Sequence, residues 1–193
     1  MQKDRVKTVI DGHRSEKMFN HDERFAYDKM FGKKKGSADE KNGTASKKIS
    51  ILFVDETNDL QSQIAEYFLN EFYHNVYDIR SAGPKYDCVD CELVAVMYQN
   101  GYDIRRATSK DFNANNMIPY DYVIFLQKAT YDRIHEIIPH KGKQILKDFG
   151  SRADLKATDD ASLAACYIEL VERVRTWIKE TFSSPDDLEK LVI

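Results

Sequence analysis

The chain has 193 residues, 42% of them hydrophobic and 11% aromatic, with a formal net charge of −3. That suffices for one core of ordinary domain size plus an appendage. No apolar run approaches the roughly 20 residues of a membrane-spanning helix, and the charged start Met1-Gln2-Lys3-Asp4-Arg5 is not followed by the apolar core of a signal peptide, so a soluble, cytoplasmic protein is expected. Three cysteines, Cys88, Cys91 and Cys166, form too sparse and odd a set for a secreted disulfide framework. The charge is uneven: residues 1–48 carry 13 Lys and Arg against 8 Asp and Glu, which leaves an acidic remainder. The basic segment can meet an acidic partner, fold onto its own acidic body or stay solvated. The acidic body has no evident basic groove, so nucleic acid is not an expected partner.

In chain order, residues 1–48 read as a basic extension. Met18, Phe19, Phe25, Tyr27, Met30 and Phe31 are spaced irregularly among charges, enough apolar surface for a short docking helix. Its docking site is equally well the chain's own domain or a partner. Residues 33–48 contain no large apolar side chain and read as a flexible linker. From residue 49 strand and helix signals alternate. Ile49–Val54 is a buried strand, and the loop Asp55-Glu56-Thr57-Asn58-Asp59-Leu60-Gln61-Ser62 leads into a helix over about 61–73. Residues 76–83 read as a second strand ending at Gly83-Pro84. A helix follows over about 90–100, with Leu93, Val94, Val96 and Met97 on one face and a stop at Gly101. Residues 122–126 are a third strand, 130–138 a helix closed by Pro139, and 144–149 a weak fourth strand. Residues 161–182 form a long amphipathic helix, apolar at Leu163, Cys166, Tyr167, Leu170, Val174, Trp177 and Ile178, and 183–193 are left as a C-terminal tail. This alternation predicts an α/β fold, a three-layer α/β/α domain over 49–182 with a four-stranded parallel sheet. In such sheets ligands sit beyond the carboxyl ends of the strands, where the Asp55 loop lies.

Several motifs in this order resemble the low-molecular-weight protein tyrosine phosphatase superfamily, which includes thioredoxin-coupled arsenate reductases. The strand-loop-helix at 51–66, with Asn58, Ser62, Ala65 and Glu66, is similar to the family's phosphate loop and its helix. Ser81-Ala82-Gly83 resembles the close of its second strand. Asp90 through Gly101-Tyr102-Asp103-Ile104 with Thr108-Ser109-Lys110, and then Asp121-Tyr122-Val123-Ile124, resemble its next helix and third strand. The resemblance implies a loop of the form Cys-x5-Arg-Ser/Thr, with a thiolate nucleophile and an arginine that clamps the oxyanion. Here Asp55 stands at the cysteine position and Gln61 at the arginine position, while Asn58 and Ser62 match. A carboxylate there competes with phosphate for the loop's N–H donors, and glutamine offers no bidentate cation. The family's general acid is an aspartate, usually followed by proline, before the last helix; Phe149-Gly150-Ser151-Arg152-Ala153-Asp154 holds no Asp-Pro, and Asp154 is only near that place. The expectation is therefore a phosphatase fold without catalytic residues or cofactor, acting as a binding or regulatory module toward another protein. Asp55, Glu56, Asp59 and Gln61 would line what remains of the pocket.

Other chemistries remain open on the same residues. Asp55 after a strand grazes the Asp-x-Asp motif of Mg²⁺-dependent haloacid-dehalogenase-type phosphatases, with the second acid displaced. Asp55, Glu56 and Asp59 are hard oxygen ligands suited to Mg²⁺ or Ca²⁺, but without regular ligand spacing, so no metal is expected. The alternative is that one carboxylate caps the helix while the others are solvated. Cys88-Val89-Asp90-Cys91 is a Cys-x-x-Cys at a helix start, a candidate redox pair or two ordinary thiols. No second such pair completes a zinc set. Tyr86, Tyr98, Tyr120 and Tyr131 are candidate recognition aromatics or core. Cys166 reads as core.

Overall fold

The structure is a computed structural model and describes residues 47–85, 87–112, 118–138 and 143–193. The extension over 1–46, with its aromatic stretch and most of its linker, lies outside the described residues, as do Tyr86 and Pro139. Four parallel strands, β1 (Ile49–Val54), β2 (Tyr77–Ala82), β3 (Tyr122–Phe125) and β4 (Gln144–Leu146), pair in the order β2-β1-β3-β4. β1 is central: Val54 lies beside Ala82 on one side and Phe125 on the other. Its last four residues are buried, as a strand covered on both faces requires.

The helices are α1 (Gln61–Tyr73), α2 (Cys91–Gln99), α3 (Lys128–Ile134), α4 (Asp160–Thr181) and α5 (Pro185–Glu189). Alternate residues of β1 feed two cores. Ile51 and Phe53 meet the apolar faces of α1, α2, α4 and α5, whereas Leu52 and Val54 meet the smaller cluster under α3, with Ile134 and Ile138. The predicted three-layer α/β/α architecture is present, with one heavy layer and one thin one.

Sequence chemistry sets the helix limits. Asp159 accepts from the Ser162 N–H at 2.8 Å while the Ser162 hydroxyl accepts from the Asp159 N–H at 3.1 Å, a reciprocal cap that starts α4. Along α4 the buried residues are Tyr167, Leu170, Val171, Val174 and Ile178. Cys166 sits at the border of that stripe and is half-buried, a correction to its expected core position. Gly101 leaves α2 with φ +89°, a left-handed conformation that glycine takes without a Cβ penalty.

Other boundaries shift. The helix expected over 130–138 is α3, starting at Lys128 and ending at Ile134, and the strand expected over 144–149 ends at Leu146. Residues 183–193 carry α5, with Ser184 capping, Pro185 at its first turn and Leu188 fully buried. The Ile193 N–H donates to the Gln144 carbonyl at 3.0 Å, against the start of β4. Among the described residues no helix is long and apolar enough to cross a membrane.

Candidate functional site

β1 delivers residues 55–60 to the carboxyl end of the sheet, between β2 and β3, and α1 starts immediately after. The loop is wedged in place by its neighbour: a Cβ added to Gly83 would stand 2.9 Å from the Asn58 nitrogen and 3.0 Å from the Asp55 carbonyl oxygen. Only glycine admits that approach.

Asn58 has φ +51° and is completely buried. Its strain is held by a braced network. Its amide donates to the Ser62 hydroxyl at 2.8 Å. Its side-chain oxygen accepts from the Lys110 N–H at 2.8 Å and from the Gln63 amide at 3.0 Å. Gln63 also donates to the carbonyls of Asn58 and Thr108. Nearby, Ser81 and Lys110 both meet the Glu66 carboxylate, the latter at 3.0 Å. Motif residues far apart in sequence thus converge behind the loop.

Asp55 points into the loop's own concavity and is fully buried. One carboxylate oxygen accepts from the Asn58 N–H at 2.5 Å and the other from the Ser62 N–H at 2.9 Å. Burial raises its pKa from 3.8 to about 6, against the opposing effect of the Ser62 backbone and side-chain hydrogen bonds; the Asp59 charge adds to the rise. Gln61 is buried too. Its amide donates to the Gly150 carbonyl at 2.6 Å, and its oxygen accepts from Gln127 at 3.2 Å. Gln127 in turn accepts from the Glu56 N–H at 3.0 Å and from Thr130 at 3.0 Å. Asp55 and Gln61 therefore do not line an open pocket, contrary to expectation: the fold turns both inward onto backbone and amide partners.

The outer acids are paired, not solvated. Glu56 meets Arg133 and, at 3.1 Å, Lys85. Partial burial raises its pKa, but these two cations outweigh that and hold it below the ordinary value. Asp59 is bonded by Thr57 and, at 2.9 Å, by Arg152. Arg152 also pairs with Asp90, whose carboxylate caps α2 and accepts from the Tyr167 hydroxyl at 2.7 Å. Burial, and then that bond, push the Tyr167 phenol well up. Leu60 is buried in the main core. The expected helix-capping carboxylate is Asp55, which satisfies the Ser62 N–H in the first turn of α1.

Cys88 and Cys91 are exposed free thiols, Cys91 opening α2. The first-turn N–H groups of Glu92 and Leu93, which could face a thiolate, are taken by Asp90. Asp154 closes a capping box with Ser151 over the 3-10 turn Arg152–Asp154 and is exposed. Tyr98 is half-exposed under the Arg105 guanidinium, 4.0 Å from the ring centre, and Tyr131 stacks on His135. Gln63, Lys85, Gln127 and Arg133 are among the loop's unforeseen partners. Gln127 lies one residue beyond β3, after Leu126, so its place at the carboxyl end of a strand was the available signal.

The family model for low molecular weight phosphotyrosine protein phosphatase matches residues 50–183. The chain belongs to this family. As a low-molecular-weight phosphatase family member it is similar to Vibrio vulnificus Wzb, solved in complex with benzylphosphonate, at 21% identity and TM-score 0.54, covering 68% of this chain and 98% of that one. It is similar to the tyrosine phosphatase Wzb of Escherichia coli K30, solved with sulphate, at 22% identity and TM-score 0.53, covering 68% and 96%. It is also similar to a thioredoxin-dependent arsenate reductase of Corynebacterium glutamicum, at 20% identity and TM-score 0.52, covering 76% and 65%. At these identities the likeness is one of fold. No curated protein sequence matches the chain significantly.

Proposed function

We propose that this chain is a non-catalytic member of the low-molecular-weight phosphatase family, a cytoplasmic protein-binding or regulatory module. The observation that carries the reading is the Asp55 carboxylate, whose two oxygens take the N–H groups of Asn58 and Ser62. N–H groups at a loop before a helix are an oxyanion site. The two Wzb proteins bind oxyanions, benzylphosphonate and sulphate; here the oxyanion is part of the chain. Asp55 replaces the nucleophile and fills the nest at once, and Gln61, in the clamp position, spends its donor on Gly150. The basic extension over 1–48 supplies part of the binding surface.

An aspartyl-nucleophile, Mg²⁺-dependent reaction is disfavoured by the same geometry. A nucleophilic carboxylate needs a free oxygen facing substrate, and Glu56 and Asp59 are turned to arginine and lysine instead of converging on a metal.

The test is hydrolysis of a small aromatic phosphate by the purified chain, with Mg²⁺ and with EDTA, beside Asp55→Asn. No turnover above the blank is expected in any arm. Turnover that requires Asp55 and Mg²⁺ would replace this reading with an aspartate-nucleophile phosphohydrolase.

A further inference from the structure

The segment holding Cys88 and Cys91 is tied to the Asp55 loop at both of its ends. At one end the Asp87 N–H donates to the Ser109 hydroxyl at 3.1 Å, and that hydroxyl donates to the Thr57 carbonyl at 2.7 Å. At the other end the Asp90 N–H donates to the Asp59 carbonyl at 3.3 Å. Asp90 is buried and carries a second tie through its side chain, because Arg152 bridges it to Asp59. Between these anchors lie two exposed free thiols three residues apart.

The chain runs without a bend through 87–90, and Asp90 is extended at φ −56°, ψ +122°. A segment that runs on without a turn between Cys88 and Cys91 holds their Cα atoms farther apart than a tight turn would, up to about 10 Å at full extension. A disulfide needs Cα atoms about 4.4–6.8 Å apart. Closing the bond therefore requires a tight turn at Val89-Asp90, and the residue that must rotate is the one holding α2, Tyr167, Arg152 and the Asp59 carbonyl together.

We propose that Cys88 and Cys91 form a reversible disulfide that withdraws Asp90 from Arg152 and Asp59 and so loosens the loop over Asp55. With a low-molecular-weight disulfide such as oxidised glutathione as oxidant, one cysteine thiolate attacks a glutathione sulfur, breaks the S–S bond and expels one glutathione thiolate. The second cysteine thiolate then attacks the mixed disulfide and expels the other. Two electrons pass from the cysteine pair to glutathione, and the two protons the cysteines lose end on the two glutathione thiols. This switch is separate from the loop's own chemistry and holds whether or not the loop is catalytic.

The test uses the full chain carrying Cys166→Ser, equilibrated in glutathione buffers from fully reduced to fully oxidised. Alkylation and mass spectrometry read the disulfide, and amide hydrogen exchange reads the loop. The expected result is an intramolecular Cys88–Cys91 bond reversed by dithiothreitol. With it, exchange in 55–62 and 150–155 rises roughly tenfold or more, the scale of losing a hydrogen bond to a charged group, while α4 keeps its protection. The same chain with Cys91→Ser should show no rise. Failure to form the bond, glutathione adducts only, a bond with unchanged loop exchange, loss of α4 protection as well, or a rise that persists in Cys91→Ser would each overturn the proposal.

Discussion

The two halves of one loop manage negative charge in opposite ways. At its base, Asp55 is completely buried and, among the described residues, meets the Asn58 and Ser62 N–H groups and the Ser62 hydroxyl but no cation, so burial dominates and its proton is held up to about pH 6. At its rim, Glu56 and Asp59 are partly open to solvent, and each has an arginine; Glu56 has a lysine as well. The base is held by hydrogen-bond geometry and the rim by charge. The first should respond to pH and to shape, the second to salt and to loss of a long side chain.

The comparison breaks most severely at Asn58. Replacing it with valine puts a β-branched residue at φ +51° and strips partners from Ser62, Gln63 and Lys110. The left-handed penalty of about 1–2 kcal/mol adds to about 1–3 kcal/mol for stranded buried donors, so a loss of about 4 kcal/mol is expected in urea unfolding. A loss below about 1 kcal/mol would mean that the network does not hold the base.

Asp55 gives the next largest effect. Its folded pKa of about 6 lies above its unfolded value near 3.8, so the folded state binds the proton more tightly. This stability is fully present below about pH 3.8, falls as pH rises, and is gone above about pH 6. A gap of roughly two pH units at 1.36 kcal/mol each corresponds to about 3 kcal/mol. Unfolding free energies at pH 4, 5, 6 and 7 should carry this downward trend in the parent relative to Asp55→Asn. Parallel profiles would show that the buried carboxyl is not the source.

At the rim, Arg152→Ala should cost about 1 kcal/mol. The guanidinium is 54% exposed, which weakens its pairing with Asp59, although Asp90 behind it is buried. The loss should shrink in 1 M NaCl, whereas that of Asn58→Val should not. Equal salt responses would erase the contrast between base and rim.

Much of the fold was legible because its signals are local. The run at 49–54, the Gly83 and Gly101 punctuation and the stripe along 161–182 each mark an element within a few residues. Even the capping role of one carboxylate was readable, since Asp55 and Ser62 lie seven positions apart. The pairing of the other two was not. Arg133 is 77 positions from Glu56 and Arg152 is 93 from Asp59, so their meeting depends on the closed tertiary fold. The inward turn of Gln61 needs Gly150 from 89 positions away. Residues 185–189 carried a start signal, Ser184 before Pro185, but the helix is too short for periodicity to announce it.

The last residue, whose N–H reaches the Gln144 carbonyl, also bears on how these molecules behave in a crowd. β4 forms one border of the sheet and is only three residues long. A strand border recruits other chains through its row of unsatisfied backbone groups. Here the row is short and one of its carbonyls is already engaged, so this border gives a second molecule little template on which to extend the sheet.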